Sequence, residues 1–193
     1  MEELPEIEAF TSSVARLHKS AVSPNGKYGF PVTTYMGPLP QDNKWCDTWE
    51  EYFAQGMRRM LELERDAQGQ SEELDQLAVM LYDKVIPRLL RPLTTLRSIE
   101  PVIIHGDLWY GNCCTEIATG KPIVFDACAF YAHNECKGLR LQTVFILTGI
   151  DEIGTWRQMR YRFGKSYIKS YQNYFPVSAP EEDHDDRNAL YSM

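Results

Sequence analysis

The chain has 193 residues, which is enough for one domain with its own hydrophobic core. Its 27 acidic and 20 basic side chains give a net charge of -7, and the basic residues are dispersed, which argues against nucleic-acid binding. The N-terminal segment lacks the features of a signal peptide, and the longest apolar run, TVFILTGI, is far shorter than the ~20 residues that cross a bilayer. We therefore expect a cytoplasmic protein that does not associate with membranes.

The five cysteines form an odd set without a C-x-x-C pair. This pattern predicts reduced, mostly buried thiols and no disulfide framework. A zinc site built from His105, His133 and some of the cysteines is the alternative, although the spacings match no common zinc motif.

The first 44 residues divide into a helix and a long irregular segment. Apolar residues at helical spacing predict an amphipathic helix over residues 6–19, and these residues are Ile7, Phe10, Val14 and Leu17. Residues 23–44 are rich in Pro, Gly and Asn, which predicts an irregular excursion with a turn at residues 24–26. Loops of this length in compact domains are more often functional than idle.

Two helices follow in the sequence pattern. Asp47 is predicted to cap the first, with Glu50 completing a capping box and the helix ending near Glu64. Ser71 is predicted to cap the second, which Pro87 should kink or interrupt. The expected core face of this second helix comprises Leu74, Leu77, Leu81, Val85 and Leu89.

The second half of the chain contains two strand candidates, at residues 102–104 and 122–125. The Gly-containing segment EIATGKP predicts a tight turn, so we expect the two strands to pair as a small hairpin. An apolar run over 139–150 and a helix over about 155–174 come next. The acidic string EEDHDD is predicted to be a solvated loop before a last helix that starts near Arg187.

Polar residues follow both predicted strands. Asp107 and Asn112 lie in the loop after the first strand, and Asp126 ends the second. Two carboxylates and an amide are hard oxygen ligands that suit Mg²⁺ shared with nucleotide phosphates. The D-x-x-x-x-N spacing equals that of a kinase catalytic loop, in which the Asp accepts the proton of the substrate hydroxyl. The same residue types are common in turns, so a purely structural role remains open at this point.

Longer stretches carry a family resemblance. HGDLWYGN and IVFDACAFYAHNE resemble the fructosamine kinases, also called ketosamine or protein-ribulosamine 3-kinases, within the aminoglycoside-phosphotransferase and protein-kinase-like fold. The resemblance extends through ARLHKSAVSPNGKYGFPVTT, GPLPQDNKWCDTWEEYF, RFGKSYIKSYQNYFP and DDRNALY, which together span nearly the whole chain. It implies an α+β, mainly helical fold with a small catalytic hairpin.

The resemblance also implies an activity and roles for residues. The activity is ATP- and Mg²⁺-dependent phosphorylation of the 3-hydroxyl of a ketosamine, on a glycated protein or a small molecule, which initiates deglycation. Asp107 is then the base, and Asn112 and Asp126 are the metal ligands. Five further residues have expected accessory roles: Trp109 and His105 in substrate binding, and Gly106, His133 and Glu135 in supporting the loop. For Trp109 a structural role is an equal alternative.

The chain departs from the family pattern in three places. It begins where the second lobe of the family begins, so we expect residues 1–193 to form a single C-terminal lobe without a glycine-rich loop or a strand Lys. Residues 137–151 look like an insertion of translated intron, and the last helices of the family are expected to be truncated. Two alternative functions therefore stay open: a non-catalytic remnant of the kinase, and a related phosphotransferase acting on aminoglycosides or choline-like alcohols.

Overall fold

The computed structural model describes residues 4–96, 99–136 and 162–192. Within these ranges the chain mixes six α-helices with three two-stranded antiparallel sheets, as an α+β fold requires. The helices are α1 (Ile7–Ser20), α2 (Trp49–Gln68), α3 (Glu72–Met80), α4 (Ile86–Thr95), α5 (Gly164–Tyr174) and α6 (His184–Tyr191). The strands are β1 (Tyr35–Met36), β2 (Leu39–Pro40), β3 (Val102–Ile104), β4 (Cys113–Thr115), β5 (Pro122–Val124) and β6 (Phe130–Ala132). The proposed insertion at 137–151, the apolar run at 139–150 and the first part of the helix expected over 155–174 lie outside the described residues.

The helices and strands pack around two main hydrophobic cores. The larger one joins α2, α4, α6 and the β3–β6 sheet, and its members include Trp49, Tyr52, Phe53, Leu90, Leu93, Ile104 and Phe130. The smaller one joins α1 to α5 and includes Phe10, Val14, Leu108, Phe163 and Tyr167. Ile104 and Leu108 belong to different cores, so the loop that contains Asp107 is anchored on both sides. No helix in the described ranges combines the length and the hydropathy that a membrane span requires.

The predicted first helix is confirmed as α1, whose N-terminus is capped by the Glu6 carboxylate. The start of α2 differs from the prediction by one residue. Thr48 Oγ1 accepts a hydrogen bond from the Glu51 backbone, and the Glu51 carboxylate accepts one from the Thr48 backbone. The capping box uses Thr48 and Glu51, because Thr48 directly precedes the first helical residue, Trp49, while the Asp47 carboxylate pairs with Lys27 at 2.8 Å.

The helical segment after Ser71 does not have a single core face. Ser71 caps α3 as predicted, but Leu77 and Val85 of the expected core face are exposed. Residues Leu81–Val85 form a π-helical turn immediately before Pro87, which has no N–H to continue the regular ladder. Leu89 of the predicted face is buried as expected, and α4 buries Ile86, Leu90 and Leu93 beside it, because the extra residue in the π-helical turn rotates the apolar stripe.

The predicted pairing of the strands is wrong, although the strands themselves are present. β3 pairs with β6, with Val102 opposite Ala132 and Ile104 opposite Phe130. β5 pairs instead with β4, with Cys113 opposite Val124, and EIATGKP is the turn of that hairpin. Apolar periodicity marks a strand and its buried face but contains no information about its partner.

The acidic string near the C-terminus is helical, contrary to the expected loop. A 3₁₀ turn over Glu181–Asp183 leads directly into α6, which begins at His184. Asp185 and Asp186 lie in the first turn of α6, where the helix dipole favours negative charge. That placement explains why this run is compatible with a helix.

The excursion over residues 23–44 is a folded element that packs beside the β3–β6 sheet. The predicted turn at 24–26 is present, and the backbone of Gly29 exchanges two hydrogen bonds with Tyr131 of β6. Asn43 is buried and braces the segment from inside, since its amide donates to Val32 O and Thr34 Oγ1. β1 and β2 form a small hairpin at the tip, and its Met36 packs on Cys128.

Candidate active site

The loop from His105 to Asn112 is held against the segment that contains Asp126. Gly106 has φ +80°, and a Cβ there would lie 2.7 Å from the backbone oxygen of Cys128. Only glycine permits both this backbone conformation and this close approach. The contact places Gly106, which precedes Asp107, against Cys128, which lies two residues after Asp126.

His105 joins the same two segments through its ring. It is 3% exposed; its Nδ1 accepts from the Asp107 backbone N–H at 3.2 Å, and its Nε2 lies 2.9 Å from the Phe125 carbonyl oxygen. Because Nδ1 is the acceptor, we assign the proton to Nε2, which donates to Phe125 directly before Asp126. Both ring nitrogens are thus used inside the protein, and this geometry favours a positioning role over the substrate contact that the sequence suggested.

Asn112 connects to both sides of the site. Its Nδ2 donates to the Asp107 carbonyl oxygen at 2.9 Å, and its own carbonyl oxygen accepts from the Phe125 N–H at 3.1 Å. With Nδ2 committed, the side-chain oxygen of Asn112 is the atom that can bind a cation. Asp126 is exposed and has φ +60°, a left-handed conformation that Asp tolerates better than most residues. The structure thus brings the segments of Asp107, Asn112 and Asp126 together. It does so with two sheets, β3–β6 and β4–β5, whereas we expected a single hairpin.

Trp109 lies in the same loop and is half-buried. Its ring makes an edge contact with Tyr110 at 4.8 Å between centroids and covers Gly111, where a Cβ would lie 2.5 Å from the indole. These contacts fix the ring locally and leave part of it accessible to a ligand.

His133 belongs to a network of buried polar side chains that follows β6. Its ring nitrogens lie 2.9 Å from the Tyr191 hydroxyl and 2.9 Å from Ser178 Oγ, and Trp49 Nε1 donates to the same Tyr191 hydroxyl. Burial lowers the pKa of His133 to about 4. The imidazole is therefore neutral at pH 7 and links β6 to α2 and α6.

Glu135 ties the same loop to the C-terminal segment. It accepts from the Ser178 N–H at 2.7 Å and from Arg187 Nε at 3.1 Å, and His184 Nδ1 lies at 3.5 Å. Burial opposes ionisation of Glu135, but these partners and His133 outweigh it and lower its pKa to about 2. The loop is thus braced by an ion pair with Arg187, whose side chain is fully buried.

Sequence reasoning missed Arg187 as a supporting residue and treated it only as the start of a helix. Its remaining donors reach Pro180 O and Ser178 O, both at 2.7 Å. The one indication in the sequence is that Arg187 lies inside the family stretch DDRNALY, since no spacing rule connects positions 135 and 187.

The alternative zinc site is not supported by the geometry. His105 and His133 lie in different networks, and the nitrogens of both rings have protein partners. In the part of the chain that the structure describes, no group of three His, Cys, Asp or Glu residues is arranged to hold a metal ion. No disulfide joins cysteines in the described part of the chain, and Cys113, Cys128 and Cys136 are buried, as the prediction of mostly buried thiols requires.

Comparison with known proteins identifies relatives along the whole chain. The fructosamine kinase family model matches residues 2–193. A protein-ribulosamine 3-kinase from Arabidopsis thaliana, described as chloroplastic, is 29% identical over 181 residues, covering 92% of this chain and 47% of the relative. A ketosamine-3-kinase from Mus musculus is 36% identical over 110 residues, covering 56% of this chain and 33% of the relative.

Solved structures share the fold. A protein from Haemophilus somnus 129PT assigned as a fructosamine-3-kinase superimposes with a TM-score of 0.67 at 19% identity, covering 100% of this chain and 57% of that one. A second, from Thermobifida fusca, gives a TM-score of 0.66 at 21% identity, covering 100% and 59%. The chain thus spans about half the length, or less, of these relatives. Because the family model covers residues 2–193, the chain belongs to the fructosamine kinase family.

Proposed function

We propose that this chain carries the acceptor-side half of a ketosamine 3-kinase site, in a lobe related to the C-terminal lobe of protein kinases. The observation that carries the proposal is the set of three connections between residues 105–112 and 125–128: the His105–Phe125 bond, the Phe125–Asn112 bond and the Gly106–Cys128 contact. They support a site in which Asp107, Asn112 and Asp126 act together, and the family supports a ketosamine acceptor over an aminoglycoside or choline-like alcohol.

In this proposal Asp107 accepts the proton of the ketosamine 3-hydroxyl as that oxygen attacks the terminal phosphorus of ATP, and ADP leaves as the bond from that phosphorus to the bridging oxygen breaks. General-base catalysis of this kind contributes about 10²- to 10⁴-fold to a rate. The His105 ring fixes the backbone of Asp107, and Leu108 anchors the loop in the core next to it, so the backbone that carries the carboxylate is held in place before substrate binds.

The oxygen donors fit a hard cation such as Mg²⁺. The Asn112 side-chain oxygen and the Asp126 carboxylate would hold it, with water and phosphate oxygens completing the ligands. When bound, the ion supplies neutralisation of the charge on the transferring phosphoryl group. Trp109 offers part of an aromatic face that could pack against the sugar.

The experiment is Mg²⁺-dependent ADP release with fructosyl-lysine, compared between the wild-type chain and Asp107→Asn. We expect the variant to lose about 10²- to 10⁴-fold in kcat while its thermal midpoint stays unchanged. Asn112→Ala and Asp126→Asn should raise the Mg²⁺ concentration needed for half-maximal rate. Wild-type chain that releases no ADP above background would favour the non-catalytic alternative instead.

A further inference from the structure

The tip of the excursion contacts the segment that follows Asp126. Met36 of β1 is 5% exposed and packs on Cys128, which is 2% exposed. The two residues form a small apolar cluster of their own, separate from the two main cores. Tyr35, the other residue of β1, is exposed. Met36 is thus a direct apolar contact between the β1–β2 hairpin and the proposed site.

Cys128 also contacts the loop that contains Asp107. A Cβ at Gly106 would lie 2.7 Å from the backbone oxygen of Cys128 and 2.8 Å from its Sγ, so both atoms lie directly against Gly106. Met36, Cys128 and Gly106 therefore touch in succession, and Asp107 follows Gly106 in the chain. In a close-packed interior a displacement at one member of such a series moves the next.

The packing between the hairpin and α2 is incomplete. A cavity of about 20 Å³ lies there, and its lining includes Met36, Gln41, Tyr52, Met60 and Phe130. The Gln41 amide nitrogen is buried and has no hydrogen-bond partner in the described part of the chain. Because a space of this size holds about one water molecule, it offers the hairpin little support. The position of the hairpin tip then depends on the side chains that do make contact, and Met36 is the one that reaches Cys128.

We propose that Met36 is a positioning residue for the proposed phosphoryl transfer. It holds Cys128 against Gly106, and this contact keeps the backbone of Asp107 in the orientation that the general base requires. The inference rests on the proposed function, because that function makes Asp107 the base. It also gives the excursion over residues 23–44 a role, since its tip supports the site from a distant part of the sequence.

The test changes both sides of this contact in the full 193-residue chain. Met36→Ala removes the side chain that packs on Cys128, Met36→Leu keeps an apolar side chain of similar volume, and Cys128→Ala removes the thiol. The matched control is Met60→Ala. Met60 is buried and lines the same cavity, but it is not a member of the Met36–Cys128 cluster.

Two quantities are measured for each variant. Hydrogen exchange of the Asp107 amide, followed by NMR, reports on the loop without requiring activity, because this N–H donates to His105 Nδ1. Mg²⁺-dependent ADP release with fructosyl-lysine gives kcat and KM separately.

We expect Met36→Ala to increase the exchange rate of the Asp107 amide about three- to tenfold and to lower kcat by a similar factor, with KM within about twofold. Met36→Leu should keep both quantities within about twofold of the wild type. Cys128→Ala should resemble Met36→Ala, and the double variant should be no worse than the more severe single variant, because both remove one contact. Met60→Ala should lower the thermal midpoint and change neither quantity.

The outcomes separate this inference from the proposed function. Equal increases of exchange in Met36→Ala and Met60→Ala would overturn the positioning role, since the loop would then respond to any loss of packing. If the wild type releases ADP and Met36→Ala changes neither quantity, the positioning role is overturned while the proposed function stands. If the wild type releases no ADP but exchange rises in Met36→Ala and not in Met60→Ala, Met36 fixes the loop and the ketosamine function is overturned. Should Met36→Ala fail to fold, Cys128→Ala provides the same comparison with Met60→Ala.

Discussion

Asp126 and Glu135 are acidic residues nine positions apart, yet the fold gives them opposite environments. Asp126 is exposed at the end of a two-stranded hairpin, in a left-handed backbone conformation. Glu135 is buried, and its two oxygens are bonded to Ser178 and Arg187. The comparison teaches that this region separates an exposed carboxylate, which the proposed function uses for metal binding, from a buried carboxylate that holds the structure.

The two regions also differ in how they are held. The proposed catalytic segment, residues 105–112 and 125–128, is positioned by backbone hydrogen bonds, by the His105 ring and by a glycine contact. The supporting region consists of the buried residues around His133 and Glu135, including Trp49, Arg187 and Tyr191. It is held by side chains whose polar atoms are hydrogen-bonded to one another in the interior. Substitutions of the buried side chains in the supporting region should therefore reduce stability, and substitutions of Asp107 and Asp126 should, on the proposed function, mainly reduce activity.

The largest effect on stability is expected from Arg187→Met. The substitution leaves the Glu135 carboxylate buried without its cation and removes the donors to Ser178 and Pro180. We expect a loss of about 3–5 kcal/mol in the free energy of unfolding, measured by urea denaturation at neutral pH. Arg88→Met is the matched control, since Arg88 is exposed and should contribute less than about 1 kcal/mol. Equal losses in the two variants would contradict the supporting role.

The second prediction concerns acid. The pKa of His133 falls from 6.5 to about 4 in the folded protein, so the unfolded chain takes up this proton first as the pH decreases. Stability should therefore fall between pH 6.5 and 4, by on the order of 3 kcal/mol from this residue. The pKa of Glu135 is lowered from 4.5 to about 2, so this residue should further decrease the free energy of unfolding as the pH falls below 4.5.

The measurement is the free energy of unfolding in urea at a series of pH values from about 7 to about 4. His133→Gln serves as the comparison, because it keeps hydrogen-bonding capacity but does not titrate. The variant should be less stable at neutral pH and show a flatter dependence over this range. A variant that retains the wild-type slope would show that His133 is not its source.

The third prediction concerns the catalytic segment. Gly106→Ala requires a left-handed alanine and places its Cβ 2.7 Å from the Cys128 oxygen. We expect a loss of about 2–3 kcal/mol in stability together with reduced ADP release. Gly120→Ala is the control, since Gly120 has φ +69° but no atom within 4 Å of the new Cβ. The Gly120→Ala variant should lose about 1–2 kcal/mol of stability from backbone strain alone and keep its activity. If both variants lost activity to a similar extent, the contact with Cys128 would not be the cause.

The smallest effect is expected at the start of α2, which carries Trp49 into the supporting region. Thr48→Ala removes the side chain that caps the helix and should cost about 1 kcal/mol, read as a shift in the thermal midpoint. Asp47→Ala should cost less than about 0.5 kcal/mol, because Asp47 only pairs with exposed Lys27. The reverse order would restore Asp47 as the cap, as the sequence first suggested.

Local chemistry was readable from the sequence. The 3.6-residue spacing of apolar residues predicted α1, Ser71 predicted the start of α3, and Gly26 marked a turn that the structure contains. The placement of Asp107 and Asn112 after one strand and of Asp126 after another was also evident, since each depends only on residues adjacent in the chain. The motif stretches were sufficient to identify the family.

The tertiary structure alone decided which distant segments meet. The partner of β3 is β6, about thirty residues later in the chain, and the partner of Glu135 is Arg187, about fifty residues later. The register change at the π-helical turn likewise depends on how α3 and α4 pack, and Val85, which lies in that turn, is exposed. The spacing of apolar residues and the capping of helices depend on interactions within a few residues along the chain. Strand pairing and buried ion pairs depend on the free energy of the whole packed structure.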